Sequence, residues 1–288
     1  MKLALGTAQF GMRYGISNVS GKVSQEGGNA ILKYAASAGV DTIDTAMAYG
    51  DSEQALGNLG VEGFNVVTKL PEIPEHIADV EGWVIRAVKD SIFRLGVASL
   101  YGLLLHRPGQ LSEPKGVKIL SALRLLKELG IVENLGVSVS APSEFDALFD
   151  IYDFDVVQCP FNLVDRRLSN SGWLKKLNTA GVEIHTRSSF LQGLLLMPRH
   201  SIPIKFKAWN ILWDDWDRWL CANKASPLDA CISYVLSFPE ITRVIVGVET
   251  QSQLAEIIGA ASGTSINSYP DISSDDTELI NPANWNIL

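Results

Sequence analysis

The chain has 288 residues, 47% hydrophobic and 19% charged, which is enough apolar content to bury a large core and excludes a disordered chain. A formal net charge of −8 and a pI near 5.1 exclude the basic face that nucleic-acid binding needs. No apolar run is long enough to span a bilayer, so no membrane association is expected. Cys159, Cys221 and Cys231 are odd in number and widely spaced, which argues against a disulfide framework or a metal site. Met1-Lys-Leu-Ala-Leu-Gly-Thr enters a strand at once and lacks the features of a signal peptide, so the expected compartment is the cytoplasm.

In chain order, short apolar runs predict strands over Lys2–Gly6, Asp41–Asp44, Phe64–Lys69, Tyr101–His106, Asn134–Ser138, Asp155–Cys159, Val182–Arg187 and Arg243–Gly247. Most are continuously hydrophobic, as strands covered on both faces of a parallel sheet must be. Helical spacing appears between them, over Ala30–Ala38, Trp83–Leu95, Val117–Leu129, Ser143–Phe149, Trp173–Ala180, Leu228–Ser237 and Ser252–Ala261. Gly39, Gly130 and Gly181 stand where these helices should stop. Eight strands alternating with helices predict an α/β fold of the (β/α)8 barrel type, a size at which one domain over residues 1–288 is ordinary. A doubly wound open sheet is the alternative; Gly6-Thr-Ala-Gln-Phe-Gly11 has the wrong spacing for its dinucleotide fingerprint.

One segment breaks the alternation. After strand seven, residues 198–224 form an expected insertion in which Trp209, Trp213, Trp216 and Leu220 recur at helical spacing. A helix packed on the barrel wall by its aromatics is the preferred reading, and a lid over the site-bearing face is the other. The tail, 263–288, is polar until Trp285-Asn-Ile-Leu288, which is expected to fold back on the body.

Four ionisable side chains stand at or just past predicted strand ends: Asp44, Tyr49, Lys69 and His106. Taken singly, each has a structural explanation. A strand-end aspartate caps a turn, a tyrosine packs its ring, and a lone histidine is usually satisfied in the core. Lys69 is harder to dismiss, because a lysine on a barrel's inner rim is either paired or functional. Together, on strands two, three and four, they form a coherent proton-transfer set. A phenol titrates near pH 10 in water; a neighbouring ammonium stabilises the phenolate, and a carboxylate holds the ammonium charged and oriented. A histidine donor nearby can hold the oxygen of a carbonyl.

These residues and their surroundings resemble the aldo-keto reductases. The likeness is carried by Gly39-Val-Asp-Thr-Ile-Asp44-Thr-Ala46, by Tyr49-Gly-Asp-Ser-Glu53-Gln-Ala-Leu-Gly57, and by Lys69 after a Val-Val-Thr strand. It continues through Leu-Leu-Leu-His106-Arg-Pro, Gly136-Val-Ser138, Val157-Gln158-Cys-Pro-Phe-Asn162 and Ser188-Ser-Phe-Leu-Gln-Gly193, covering the chain from Leu3 to about Ile258. The resemblance implies a barrel that binds NADP(H) or NAD(H) without a Rossmann fold and reduces a small-molecule aldehyde or ketone. It implies Tyr49 as the acid, Lys69 and Asp44 as its tuning pair, and His106 as the group orienting the carbonyl. It places Ser138 and Gln158 on the nicotinamide carboxamide. The other cofactor residues it implies are Gly6, Thr7, Arg187, Ser188, Phe190, Gln192, Gly193, Gly247 and Gln253.

Several positions depart from the family pattern. Val139 follows Ser138 where asparagine is usual, and Arg187 replaces the aromatic ring that stacks on the nicotinamide. The stretch from Gly247 to Glu256 holds Glu249 but no lysine or arginine to meet a 2′-phosphate, so the choice between NADPH and NADH stays open and NADH is a candidate. Arg107 is expected either to line the substrate pocket or to form an ion pair at its rim. Two further readings remain: a dinucleotide-binding barrel with a regulatory role, and a cofactor-free lyase or isomerase using Lys69 as a Schiff base or His106 as a base.

Overall fold

The computed structural model describes residues 1–263, 266 and 268–286, the last in its backbone alone. Its eight strands are β1 Leu3–Gly6, β2 Thr42–Asp44, β3 Asn65–Leu70, β4 Leu100–Leu105, β5 Val132–Ser138, β6 Val156–Pro160, β7 Glu183–Arg187 and β8 Arg243–Gly247. All are parallel and pair in chain order, and β1 also pairs with β8 to close the barrel. The alternative of an open doubly wound sheet is thereby excluded. Strand alternation sends successive side chains to opposite faces. Val67, Leu104 and Val156 fill the interior, while Leu5, Ile43, Val66, Leu103, Leu105 and Val137 pack with the helices.

Two helices begin three to five residues earlier than their apolar periodicity alone predicts, because polar caps extend them. The helix expected from Ala30 starts at Gln25, where Ser24 accepts the Gly27 N–H. The one expected from Trp83 starts at Val80, where Asp79 accepts the Gly82 N–H. A helix over Ser52–Leu59, following β2, has no counterpart in the sequence reading. Its buried face is small, with Leu56 the main apolar contact and Glu53 beside it, and its eight residues make little more than two turns, too few to establish a period.

After β7 the chain runs through tight 3-10 turns into a helix over Asn210–Asn223. Trp213 and Trp216 are its buried residues, and the Trp213 indole donates to the Phe206 carbonyl at 2.9 Å. The tail packs on this segment. Trp285 meets Phe206 edge-on at 4.9 Å between ring centroids, and Lys205 donates to the Trp285 carbonyl at 2.7 Å. Ile287 and Leu288, the end of the stretch expected to fold back, lie outside the described residues. Among the described residues no helix is long and apolar enough to cross a membrane.

Candidate active site

In a parallel barrel every strand points its C-terminal end to the same face. Asp44 ends β2, Lys69 is next to last in β3, Ser138 ends β5 and Gln158 lies mid-way along β6. His106 follows β4 directly, since the strand ends one residue earlier than the expected Tyr101–His106. Val67 and Lys69 share a strand face, so the lysine enters the barrel while Thr68 points out. Lys69 has no solvent exposure, and its Nζ donates to Asp44 Oδ1 at 2.6 Å and to the Thr45 carbonyl at 2.8 Å. The other carboxylate oxygen, Asp44 Oδ2, accepts from Gln158 Nε2 at 2.7 Å, and Ser138 Oγ lies 3.2 Å from Gln158 Oε1. Both oxygens of Asp44 are therefore committed, and the Lys69 ammonium has two acceptors. Removing one partner of such a pair typically costs about 3–5 kcal/mol.

Tyr49 lies above this pair. The Lys69 ammonium is 5.1 Å from the Tyr49 ring centroid, and the His106 ring meets Tyr49 edge-on at 5.9 Å. Burial alone would drive Lys69 toward its neutral form. Attraction to Asp44 and Tyr49, with the hydrogen bond to Asp44, outweighs that, and its pKa lies above the usual lysine value. His106 moves the other way. Burial, then repulsion from Lys69 and Arg187, lowers it to about 4. At neutral pH it is an uncharged imidazole with one N–H donor and one acceptor.

A cleft of about 400 Å³ opens beside Tyr49, within the size range of small-molecule sites. Asp44 and Tyr49 line it, as do Gly6, Thr7, Arg187, Ser188, Phe190, Gln192, Gly193, Gly247 and Gln253 from the expected cofactor set. Ser138 and Gln158 stand outside its wall, held in the network beneath Asp44. Lys69 and His106 also stand outside the wall and reach the site through Tyr49. Gln253 has its carbonyl oxygen committed to the Glu249 N–H at 2.7 Å, leaving its amide nitrogen for a ligand. Trp209 and Trp213 do not line the cleft.

The cleft also contains residues that the sequence reading passed over. Tyr14, in the loop after β1, has its hydroxyl 3.3 Å from Gln192 Nε2, and its pKa is raised by burial and by the proximity of Tyr49. Ser189 lines the wall with a buried Oγ that has no hydrogen-bond partner among the described residues. Glu256 joins Glu249 at the β8 end. A lone loop tyrosine or serine has no periodicity or motif to single it out. Glu256, on the helix Gln251–Ala261, stood in the sequence only as the end of the stretch that lacks a lysine or arginine.

A sequence model of the Aldo/keto reductase family matches residues 2–269. The D-arabinose 1-dehydrogenase of Saccharomyces cerevisiae is 32% identical over 160 residues, which are 49% of this chain and 48% of that protein, so the match spans about half the length of this curated relative. Among solved structures, an aldo-keto reductase of Bacillus halodurans in its holo form superposes with a TM-score of 0.74 at 19% identity, covering 92% of this chain and 88% of that one. The glycerol dehydrogenase of Gluconobacter oxydans superposes with a TM-score of 0.70 at 21% identity, covering 92% and 88%. At these identities the two structures speak for the barrel alone. The sequence match, running from the first strand past the last over an eight-stranded parallel barrel, shows that the chain belongs to the aldo/keto reductase family.

Proposed function

We propose that the protein reduces an aldehyde or ketone to an alcohol with NADH or NADPH, using Tyr49 as the general acid. The observation that carries this reading is the buried, doubly satisfied Lys69–Asp44 pair under the ring of Tyr49, with a neutral His106 at the ring's edge. The ammonium stabilises negative charge on the phenol oxygen as its proton leaves for the substrate oxygen. His106 supplies an N–H to hold that oxygen in place, and being uncharged it does not compete as a proton donor. When bound, the reduced nicotinamide supplies the hydride to the carbonyl carbon.

The wall of the cleft suits such a cofactor. Ser189 offers an unpartnered hydroxyl, and Gln253 keeps an amide donor free. Ser188, Leu191, Gln192 and Gly193 hold left-handed backbone, which turns the β7 loop along the cleft. Ser138 and Gln158 act, in this reading, through Asp44 as well as on a carboxamide. A Schiff-base chemistry at Lys69 is disfavoured, because it needs a neutral amine, and this one is held charged by Asp44.

Tyr49→Phe tests the assignment. Loss of the acid should lower kcat for carbonyl reduction by about 100-fold or more, with the Kd for the reduced cofactor, read from nicotinamide fluorescence, changed less than threefold (about 0.7 kcal/mol). Full activity in the variant would remove Tyr49 as the acid. A panel containing D-arabinose and glyceraldehyde, sampling the polyols and sugars that the similar proteins are named for, is the first screen.

A further inference from the structure

Arg187 ends β7 and lines the cleft beside Tyr49. Its Nη2 donates to the Val139 carbonyl at 3.0 Å and its Nη1 lies 3.3 Å from Ser188 Oγ, so both contacts are to neutral oxygens. Of the other half-buried arginines, Arg166 is held by the Leu163 and Pro270 carbonyls and the face of the Tyr234 ring, whereas Arg94, Arg167, Arg199 and Arg243 are matched by the carboxylates of Glu53, Asp165, Asp214 and Asp41. Among the described residues Arg187 has no such partner. Arg107, next to His106, has none either and is exposed. The field of Arg187 reaches Tyr14, Lys69 and His106, three side chains around the point where Tyr49 would deliver its proton. Lys69 is cancelled by Asp44. The ground around Tyr49 thus carries an uncompensated positive charge in a chain whose net charge is −8.

A partly desolvated guanidinium without a carboxylate is costly unless a ligand completes it, and its planar fork suits carboxylate or phosphate oxygens. We infer that the substrate is an anionic carbonyl compound, an aldehyde or ketone bearing a carboxylate or phosphate that pairs with Arg187, with Arg107 adding attraction at the mouth. This inference rests on the reductase reading above and narrows its substrate class. Steering by a local cation in an acidic protein also implies that capture of the substrate weakens with added salt.

Matched pairs of substrates test it on the whole protein: succinic semialdehyde against butanal for the carboxylate, glyceraldehyde 3-phosphate against glyceraldehyde for the phosphate. In at least one pair the charged member should have the higher kcat/KM, by about 10-fold or more. Arg187→Met should collapse that ratio, mainly through KM, Arg187→Lys should restore part of it, and added salt should lower it in the wild type alone. The ratio within a pair cancels any effect of the substitution on the cofactor. Equal kcat/KM within both pairs, or equal losses on both members in Arg187→Met, would overturn the inference. So would a loss of cofactor affinity in Arg187→Met as large as the loss on the charged substrate, since the charge would then serve the cofactor. If no carbonyl compound is reduced, the reductase reading fails by itself. Calorimetric binding of succinate and of glycerol 3-phosphate to wild type and Arg187→Met still decides the anion site: binding lost in the variant supports it, and no binding to either protein refutes it.

Discussion

Gly11 ends the short helix Ala8–Gly11 after β1, and a Cβ there would collide with the carbonyl oxygen of Tyr49 and come within 2.5 Å of the Ser52 nitrogen. Gly50, at φ +57°, returns the approach, since its Cβ would sit 2.6 Å from the Gly11 carbonyl oxygen. Hydroxyls pin the same two loops together: Ser52 Oγ donates to the Thr7 carbonyl at 2.8 Å and lies 3.0 Å from Thr45 Oγ1. Below, the buried Glu53 accepts from Thr68 and Ser91 at 2.6 Å and from Arg94 Nη2 at 2.6 Å, tying the helix that follows Tyr49 to the strand that carries Lys69. The phenol is thus positioned by backbone contact from one side and by a satisfied carboxylate from the other. Gly11→Ala should push the Tyr49 backbone away and lower kcat by about 10- to 100-fold, the scale of a misplacement near 1 Å, with the far-UV spectrum of the barrel kept. Gly39→Ala is the control: φ is +79° but nothing lies within 4 Å, so it should cost stability without touching kcat. Wild-type kcat in Gly11→Ala would show that this packing does not hold the phenol.

The β8 loop and the helix Gln251–Ala261 bring Glu249 and Glu256 to one end of the cleft, and Arg187 is the only lysine or arginine in its described lining. A 2′-phosphate placed at that end would meet two carboxylates and no cation. The helix N-terminus favours an anion by about 0.3–1 kcal/mol, whereas a like charge at 4 Å costs about 1 kcal/mol in water and about 4 near a protein surface. Repulsion wins, so NADH is expected to bind at least about 10-fold more tightly than NADPH. Glu249→Lys should narrow or reverse the gap, and fluorescence titration of both dinucleotides measures it; tighter NADPH binding by the wild type would refute the argument. Glu249 was legible in the sequence as the acid in a stretch without lysine or arginine just past an apolar strand, and Asp44, Lys69 and His106 were legible as strand-end residues. Strands buried on both faces write continuous hydrophobic runs, so polar residues at their ends stand out. Tyr14 and Ser189 were not legible for the opposite reason. Their roles come from the approach of the β1 and β7 loops, as in the Ile16 N–H donated to the Gln192 carbonyl at 3.2 Å, and no local period records that approach.

Across the whole molecule, the price of assembling the site shows in its response to acid. His106 titrates at about 4 in the folded protein, below the usual 6.5, because burial and then the charges of Lys69 and Arg187 oppose its protonation. The unfolded chain has no such constraint. Between about pH 6.5 and pH 4 the unfolded chain therefore binds a proton at this position that the folded chain does not, and stability rises with pH where the unfolded state holds more protons. The contribution is complete above pH 6.5, shrinks as the pH falls through this window, and is spent below 4. Two measurements follow. The His106 Cε1 proton should titrate by NMR with a midpoint near 4, so the imidazole keeps its single N–H donor through the neutral range. Urea unfolding at several pH values should show a shallower loss of stability on acidification in His106→Gln than in the wild type, whatever the variant's stability at pH 7. An NMR midpoint near 6.5 would mean that neither burial nor the cations around Tyr49 oppose its protonation, and an anion bound at Arg187 should itself raise the midpoint by cancelling one of the charges that lower it.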